Sequence, residues 1–424
     1  MNYEQALEYI HSITWRGSRP GLSRTRELLE KIGNPEKSFK SVHIVGTNGK
    51  GSTAAFIESV LRSAGYKTGL YTSPYIYRFN ERIRFCGMEI PDEVLADITE
   101  YVKPFAEEMS DPPTEFELIT VIGFEYFRRS GCEIAVIEAG MGGELDSTNV
   151  IPSPLVSVIT AIGLDHTKEL GGTFAEIAAT KAGIIKPGTS VVFYGENNEA
   201  YRVIKDKCEK TNVNLSIPLF DDVRVISSDI YGSVFSYSSY EDIKIKLVGE
   251  YQIKNAAVAI TAIEELRKCG INVTDKALKD GLAGASWQGR FELIGRNPVF
   301  ISDGAHNPHG MKAAVQNIKS LFGGKRIAVI MGVMADKDYM QMLDLIKDIT
   351  AKLYAVTPDN PRALAAASLA EAAARHGIIS EPYGSVYDAA AAAVSEQGAR
   401  GTICAFGSLY MYKEVLDAAQ SLYK

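Results

Sequence analysis

The sequence predicts an α/β protein: a mostly parallel sheet flanked by helices, with a small antiparallel patch, then a second, smaller α/β domain. Three observations carry that prediction. Short β-rich runs alternate with helical patterns along most of the chain. Several of those runs end on polar, glycine-bearing loops, as parallel strands do at their ligand-binding edge. The chain has 424 residues, and a single core rarely grows past roughly 250–300 residues, so two domains are expected.

Ser41 to Val45 is a β-rich run that ends at a glycine loop. Ser52 to Ala64 reads as a helix, because Ala54, Ala55, Ile57, Val60 and Leu61 make one apolar face. Gly65 ends it, and a strand follows around Lys67 to Tyr71. Thr114 with Glu117 three residues on marks a helix start, and that helix runs to about Ser130. Glu133 to Ile137 is strand-like and ends at Glu138 and a glycine cluster. Leu155 to Thr160 is another strand. Phe174 to Ile185 is a helix stopped by Pro187-Gly188. From Asp221 to Leu247 polar and aromatic residues alternate, as in Val234-Phe235-Ser236-Tyr237, which predicts the antiparallel patch. Ile253 to Lys268 returns to helix.

Near Arg296-Asn297-Pro298 the pattern starts again, so the expected domains are 1–296 and 297–424. Val299 to Ser302 is a strand, Gly310 to Leu321 a helix, and Arg326 to Met331 a strand. Asp338 to Ile349 is a helix, Leu353 to Val356 a strand, and Leu364 to Arg375 an alanine-rich helix. Thr402 to Phe406 is a last strand before a last helix.

Composition excludes several classes. Apolar residues at 46% and charged residues at 23% are those of a folded globular chain, not a disordered one. The 45 Lys and Arg against 52 Asp and Glu leave a formal charge of −7, which argues against nucleic acid or an anionic membrane as partner. Five scattered cysteines without a Cys-x-x-Cys are neither a disulfide framework nor a zinc site, and suit a reducing cytoplasm. No run of about 18 apolar residues predicts a membrane span.

The strongest local signal is Gly46-Thr47-Asn48-Gly49-Lys50-Gly51-Ser52, between an expected strand and an expected helix. Glycines let backbone N–H groups turn toward an anion, and the helix N-terminus adds partial positive charge. Lys50 reaches phosphates as a point charge. This is a P-loop-type arrangement without the strict pattern, since Ile44 stands at its first Gly and Gly51 follows the lysine. Glu138 ends an apolar strand, so its carboxylate falls at the ligand-binding edge, where a hard oxygen suits Mg²⁺. Asp303-Gly304-Ala305-His306-Asn307-Pro308 is a comparable edge loop in the second, Rossmann-like domain. Asp336-Lys337-Asp338 is a weaker third one. On periodicity alone Lys181 is an exposed helix lysine.

The glycine loop after His43-Ile44-Val45 resembles that of the Mur-type ATP-dependent amide ligases, and within them the folylpolyglutamate synthase/dihydrofolate synthase branch. The resemblance runs almost end to end. It includes Gly21-Leu22-Ser23-Arg24, Thr72-Ser73-Pro74, Glu138 to Gly143, Asp146-Ser147-Thr148-Asn149, Asp165-His166 and Lys181-Ala182-Gly183. It continues through Tyr251-Gln252 with Asn255-Ala256, Gly289-Arg290-Phe291-Glu292, Asp303 to Pro308 and Gly407-Ser408-Leu409-Tyr410.

The resemblance implies a set of roles. ATP is held by Thr47, Asn48, Gly49, Lys50, Gly51 and Ser52, with Asn255 near the adenine and Arg290 and Asp303 on the nucleotide. Ser73, Glu138 and His166 are implied Mg²⁺ ligands. Lys181 is implied to be carbamylated and to serve a second Mg²⁺. Imidazole is a poor match for Mg²⁺, so His166 rests on the resemblance alone. Lys50, Lys181 and His306 carry the catalytic expectation, and Ser408 is associated with the glutamate site. In the Ser73–Met88 segment, Arg82 with Tyr75, Tyr77 and Phe79 is a candidate for the pterin and its charged tail, or an exposed loop.

The implied reaction moves the γ-phosphoryl group of ATP to a carboxylate of a reduced folate, after which L-glutamate displaces phosphate. A two-domain cleft and a monomer are expected. The rivals are another Mur-type ligase, a P-loop phosphotransferase, and an inactive nucleotide-binding scaffold. Glu144 stands where many bifunctional members carry a basic residue, so addition of the first glutamate to dihydropteroate is left open.

Overall fold

The computed structural model describes residues 1–14, 17 and 19–423. The chain falls into two compact units, one of Met1–Val223 with Lys254–Ala285, the other of Arg224–Ile253 with Ser286–Lys424. The expected boundary near 296 lies inside the second unit. The reason is local: Glu292–Arg296 pairs antiparallel with Val299–Ser302, so Asn297 and Pro298 turn a hairpin within one sheet.

The first unit is built on β1 (Lys40–Val45), β2 (Thr68–Tyr71), β3 (Ile83–Phe85), β4 (Met88–Glu89), β5 (Ile134–Glu138), β6 (Val156–Ile159), β7 (Ser190–Phe193) and β8 (Leu215–Ser216). Their order in the sheet is β4-β3-β2-β5-β1-β6-β7-β8. β1 runs parallel between β5 and β6, with Ile44 opposite Glu138 and Val45 opposite Ile159. Only the β2–β3 and β3–β4 pairs are antiparallel. β5 is buried along its whole length, as a central parallel strand covered on both faces should be.

Helices cover both faces. Lys50–Ser63 packs on one side against Asp275–Gly284, where a Cβ on Gly281 would lie 2.4 Å from the Val60 Cα; only glycine admits that approach. On the other side Tyr3–Ser12, Ser23–Lys31, Asp92–Glu107 and Glu115–Arg129 enclose a core with Ile10, Leu28, Leu95, Phe124 and Phe127. Thr114 caps the last of these as expected: its side chain accepts from the Glu117 N–H, and the Glu117 carboxylate accepts the Thr114 N–H at 2.7 Å. That carboxylate is buried and also takes the Arg24 Nε.

The second unit holds the antiparallel patch as β9 (Arg224–Asp229), β10 (Gly232–Tyr237) and β11 (Tyr240–Ile245). Ser233, Phe235 and Tyr237 face inward and alternate with more exposed residues, so the period-2 reading matches. Its larger sheet has β12 (Glu292–Arg296), β13 (Val299–Ser302), β14 (Ile327–Met331), β15 (Thr350–Ala355), β16 (Ser380–Pro382) and β17 (Thr402–Phe406), ordered β12-β13-β17-β14-β15-β16. All but β12 run parallel. Apolar clusters sit on both faces, one around Met311, Val329 and Leu343, the other around Phe300, Tyr354 and Val415. The helix Glu250–Lys268 begins three residues before the expected Ile253, because the Asn317 side chain accepts the Glu250 N–H at 3.1 Å. Among the described residues no helix is long and apolar enough to cross a membrane.

Candidate active site

β1 is the central strand, and the chain leaves its C-terminal end through Gly46 to Gly49 into the helix Lys50–Ser63. The loop is pinned to the segment after β6. The Thr47 and Asn48 N–H groups donate to the Ala161 carbonyl at 2.8 and 3.2 Å. The Thr160 hydroxyl donates to the Asn48 carbonyl at 2.8 Å, and Thr47 exchanges hydrogen bonds with Gly163. A Cβ on Gly46 would lie 1.8 Å from the Thr160 Oγ1. Gly49 has a φ of +86° and forms the N-cap without a side chain, so the first-turn amides are presented to an anion. Asn255, buried on the helix Glu250–Lys268, backs this turn: a Cβ on Gly49 would lie 2.5 Å from its Oδ1.

Two lysines converge on the loop. The Lys50 Nζ donates to the Gly46 and Thr47 carbonyls at 3.2 and 3.3 Å and stands 3.9 Å from Glu138. The Lys181 Nζ donates to the Gly46 carbonyl at 2.9 Å. Lys181 is only 2% exposed, so the periodicity reading of a solvent-facing lysine is corrected. The Gly140–Gly143 loop lies over the end of its helix, where a Cβ on Gly143 would come within 3.0 Å of the Lys181 Cα. Burial, then the neighbouring Lys50 charge, push the Lys181 amine down to about 7, against the opposing charges of Asp146 and Asp165.

Glu138 ends β5 beside β2, and the Ser73 N–H donates to its Oε2 at 3.4 Å. His166 follows β6 on an exposed stretch, with a φ of +50°, as the N-cap of Thr167–Leu170; its N–H donates to the Asp165 side chain. Among the described residues no group of three or more His, Cys, Asp and Glu side chains is arranged to hold a metal ion. Glu138 at the end of β5 and Ser73 just past the end of β2 nonetheless put a carboxylate and a hydroxyl-bearing residue at one sheet edge, a hard-oxygen pair that fits Mg²⁺.

A buried network behind the glycine cluster was not expected as part of the site. Asp146 accepts the N–H groups of Met141 and Thr148 and the Thr148 hydroxyl, while burial pushes its carboxyl up. His43 on β1 lies 2.8 Å from that hydroxyl, and burial takes its imidazole down to about 3, so it is neutral. Because the Thr148 hydroxyl donates to Asp146, His43 donates through Nε2. Only a run of motif residues (Asp146 to Asn149) hinted at this network in the sequence.

The Ser73–Met88 segment is a built turn. The Glu81 carboxylate accepts the N–H groups of Ile76, Tyr77 and Arg78, each at 2.9 Å. The Arg82 guanidinium lies over the rings of Tyr75 and Phe79, at 5.0 and 5.8 Å, and its buried Nε has no hydrogen-bond partner.

In the second unit the buried Asp303 is a hub at the end of β13. Its Oδ1 accepts the Ala305 N–H at 2.8 Å, and its Oδ2 accepts the Phe291 N–H at 2.7 Å and the Tyr251 hydroxyl at 3.2 Å. Burial raises its carboxyl, and the Arg290 charge opposes that. The Arg290 guanidinium packs on Gly304, where a Cβ would lie 2.4 Å from Nη1. His306 donates from Nδ1 to the Gly304 carbonyl at 2.8 Å, which places its proton on that nitrogen. Ser408 is buried and accepts the Tyr410 N–H as an N-cap. Asp338, in the third edge loop, caps Tyr339–Ile346.

The Mur ligase middle domain family matches residues 44–263, and the Mur ligase glutamate ligase domain family matches residues 289–409. The dihydrofolate synthase/folylpolyglutamate synthase of Bacillus subtilis is 39% identical over 381 residues, spanning 87% of this chain and 88% of the relative. The crystal structure of folylpolyglutamate synthase from Thermotoga maritima matches with a TM-score of 0.85 at 33% identity, over 99% of this chain and 97% of that one. The Mycobacterium tuberculosis folylpolyglutamate synthase complexed with ADP and AMPPCP matches with a TM-score of 0.89 at 28% identity, over 100% and 99% of the two chains.

Proposed function

This chain belongs to the folylpolyglutamate synthase/dihydrofolate synthase family of Mur ligases, and on that premise we propose how its own residues carry the reaction. It is an ATP-dependent ligase that adds L-glutamate to a reduced folate. The observation that carries the site reading is the meeting of Lys50 and Lys181 on a glycine loop beside the strand-end carboxylate of Glu138.

ATP binds in the loop from Thr47 to Ser52, with its phosphates on the first-turn N–H groups that follow Gly49 and with Lys50 as their point charge. Asn255 stands by the adenine. Arg290 meets the phosphates with its planar fork, and Asp303 holds the nucleotide. Glu138 and Ser73 would hold a Mg²⁺ ion, with His166 as a further ligand. Lys181, once carbamylated, would serve a second. Such ions neutralise phosphate charge when bound. A neutral amine is what reacts with carbon dioxide, and the depressed Lys181 amine supports that modification.

The chemistry follows from charge. A carboxylate resists amines until it is activated. Its oxygen attacks the γ-phosphorus, ADP leaves, and an acyl phosphate forms. The α-amine of L-glutamate then attacks the carbonyl carbon, and phosphate departs as the amide forms. The chain's contribution is to hold and neutralise the phosphates and to align the attack. His306, with its proton on Nδ1, offers Nε2 as the nitrogen that can take a proton from the incoming amine. Arg82, stacked on Tyr75 and Phe79, is assigned to the folate, and Ser408 to the glutamate side.

The test is phosphate release from Mg-ATP with tetrahydrofolate or dihydropteroate, each with and without L-glutamate. Release that needs both tetrahydrofolate and glutamate is expected. Release that ignores glutamate would overturn the reading. The dihydropteroate arm decides the second activity, against which the acidic Glu144 argues.

A further inference from the structure

Tyr251 lies in the first turn of the helix Glu250–Lys268, and spacing alone assigns it no role of its own. Its hydroxyl ends on Asp303, the carboxylate that receives donors from three stretches of chain. One donor is Tyr251 itself. The second is the Phe291 N–H, one residue past Arg290. The third is the Ala305 N–H of the edge loop.

Phe291 has a φ of +48°, a conformation that costs a bulky residue about 1 kcal/mol or more. Its N–H bond to Asp303 and the Gly304 N–H bond to the Gly289 carbonyl, at 2.9 Å, hold that turn closed around Arg290. The guanidinium then packs closely on Gly304, through Nη1. The direction of Arg290 is thus set by where the Asp303 carboxylate stands. Of the donors to Oδ2, Tyr251 is the one that comes from outside the turn and its strand.

We propose that Tyr251 is a positioning residue for the nucleotide: its hydroxyl fixes Asp303 and, through the Gly289–Phe291 turn, aims Arg290 at the phosphates. This rests on the reading that Asp303 and Arg290 meet ATP. Burial and the Asp303 charge push the tyrosine hydroxyl well above its ordinary range, so it remains a donor throughout the working pH range. The groups facing Asp303 are Arg290 from the turn, Tyr251 from the helix and Cys404 from β17, whose buried thiol is pushed well up and stays neutral. Arg290 opposes protonation most, then the two backbone amides, then the tyrosine bond. Losing that bond raises the Asp303 carboxyl further, so the ionised acceptor is lost at a higher pH.

The experiment uses the full chain, with Tyr251→Phe and Asp303→Asn beside wild type. ATP is varied at saturating folate and glutamate from acid to alkaline pH, ADP binding is titrated directly, and the thermal midpoint is recorded. For Tyr251→Phe we expect KM for ATP and Kd for ADP to rise roughly three- to tenfold, the worth of one buried hydrogen bond. KM for folate and glutamate should hold, and the acid limb of kcat/KM for ATP should move to higher pH. A purely structural tyrosine would lower the thermal midpoint and leave both the acid limb and the ADP affinity in place; that result overturns the proposal. If Asp303→Asn weakens ADP and Tyr251→Phe does not, the tyrosine assignment alone falls. If Asp303→Asn leaves ADP affinity intact, the nucleotide reading of Asp303 falls and the tyrosine assignment with it.

Discussion

The ammonium groups of Lys50 and Lys181 donate to one oxygen, the Gly46 carbonyl, at 3.2 and 2.9 Å. Two side-chain nitrogens thus share a single acceptor. The Lys50 charge is one cause of the depressed Lys181 amine, second to burial. Removing Lys50 should therefore move Lys181 back toward its ordinary value. In Lys50→Met the pH at which Lys181 takes up ¹³C-labelled carbon dioxide, followed by the carbamate carbonyl signal, should rise above the wild-type midpoint, because the amine regains its proton affinity. An unmoved midpoint would show that burial alone sets it.

Lys181 also has a signature in stability. Its folded amine titrates near 7, whereas an unfolded lysine titrates near 10.4. Between those values the unfolded chain binds more protons, so stability should climb with pH across that window. Below it the cost of the buried cation is fully present. Lys181→Met should flatten that climb, as measured by urea unfolding at pH 6.5, 8 and 9.5 in carbonate-free buffer.

Gly49→Ala tests the loop. The left-handed φ of +86° costs an alanine about 1–2 kcal/mol, and its Cβ would meet the Asn255 Oδ1 at 2.5 Å. We expect a lower thermal midpoint and a rise in KM for ATP on the order of tenfold or more. Gly49→Ala with Asn255→Ala should recover part of the stability, since the clash is gone and the dihedral strain stays. Strict additivity would mean that the two side chains do not meet.

Glu138→Gln keeps the shape and removes the charge at the end of β5. The Mg²⁺ concentration for half-maximal activity should rise on the order of 10–100-fold, with a smaller change in KM for ATP at saturating Mg²⁺. An unchanged Mg²⁺ requirement would make Glu138 a counterion for Lys50, 3.9 Å away, and nothing more.

Arg24 and Glu117 give the stability prediction. Both are buried, and Arg24 is the cation that faces the Glu117 carboxylate. Arg24→Met leaves that carboxylate uncompensated and should cost about 3–5 kcal/mol of unfolding free energy. Adding Glu117→Gln should return part of the loss, while keeping an acceptor for the Thr114 N–H.

What could be read from the chain alone follows from range. β1, β5, β13 and β17 are apolar runs that end on polar loops, and a local pattern suffices to find them. The helix Glu115–Arg129 announces itself through Thr114 and Glu117. The edge strands β4, β8 and β16 are two or three residues long and carry no period at all. Asp92–Glu107 is a full helix, but Pro104 inside it breaks the expected composition. Lys181 looked solvated because periodicity assumes that the polar face of a helix meets water; here the glycine cluster covers it. His43 and Tyr251 meet partners far along the chain, 105 and 52 residues away. Spacing cannot reveal such pairs. The break in pattern at Arg296-Asn297-Pro298 has a similar explanation: a turn in a hairpin and a break between domains look alike in one dimension.

The chain passes between its two units after Val223, after Ile253 and after Ala285. Neither unit is one continuous stretch of coding sequence. A stop codon after Ala285 would leave β9 to β11 stranded on a fragment that lacks the rest of their unit, and one after Val223 would remove the helix that carries Asn255. Recombination that exchanges the second unit with that of another ligase must bring 224–253 along with 286–424, which needs three breakpoints in register. Inheritance of the whole gene is therefore the simple route by which this arrangement passes between lineages, and split-gene or fragment-complementation versions should be hard to obtain.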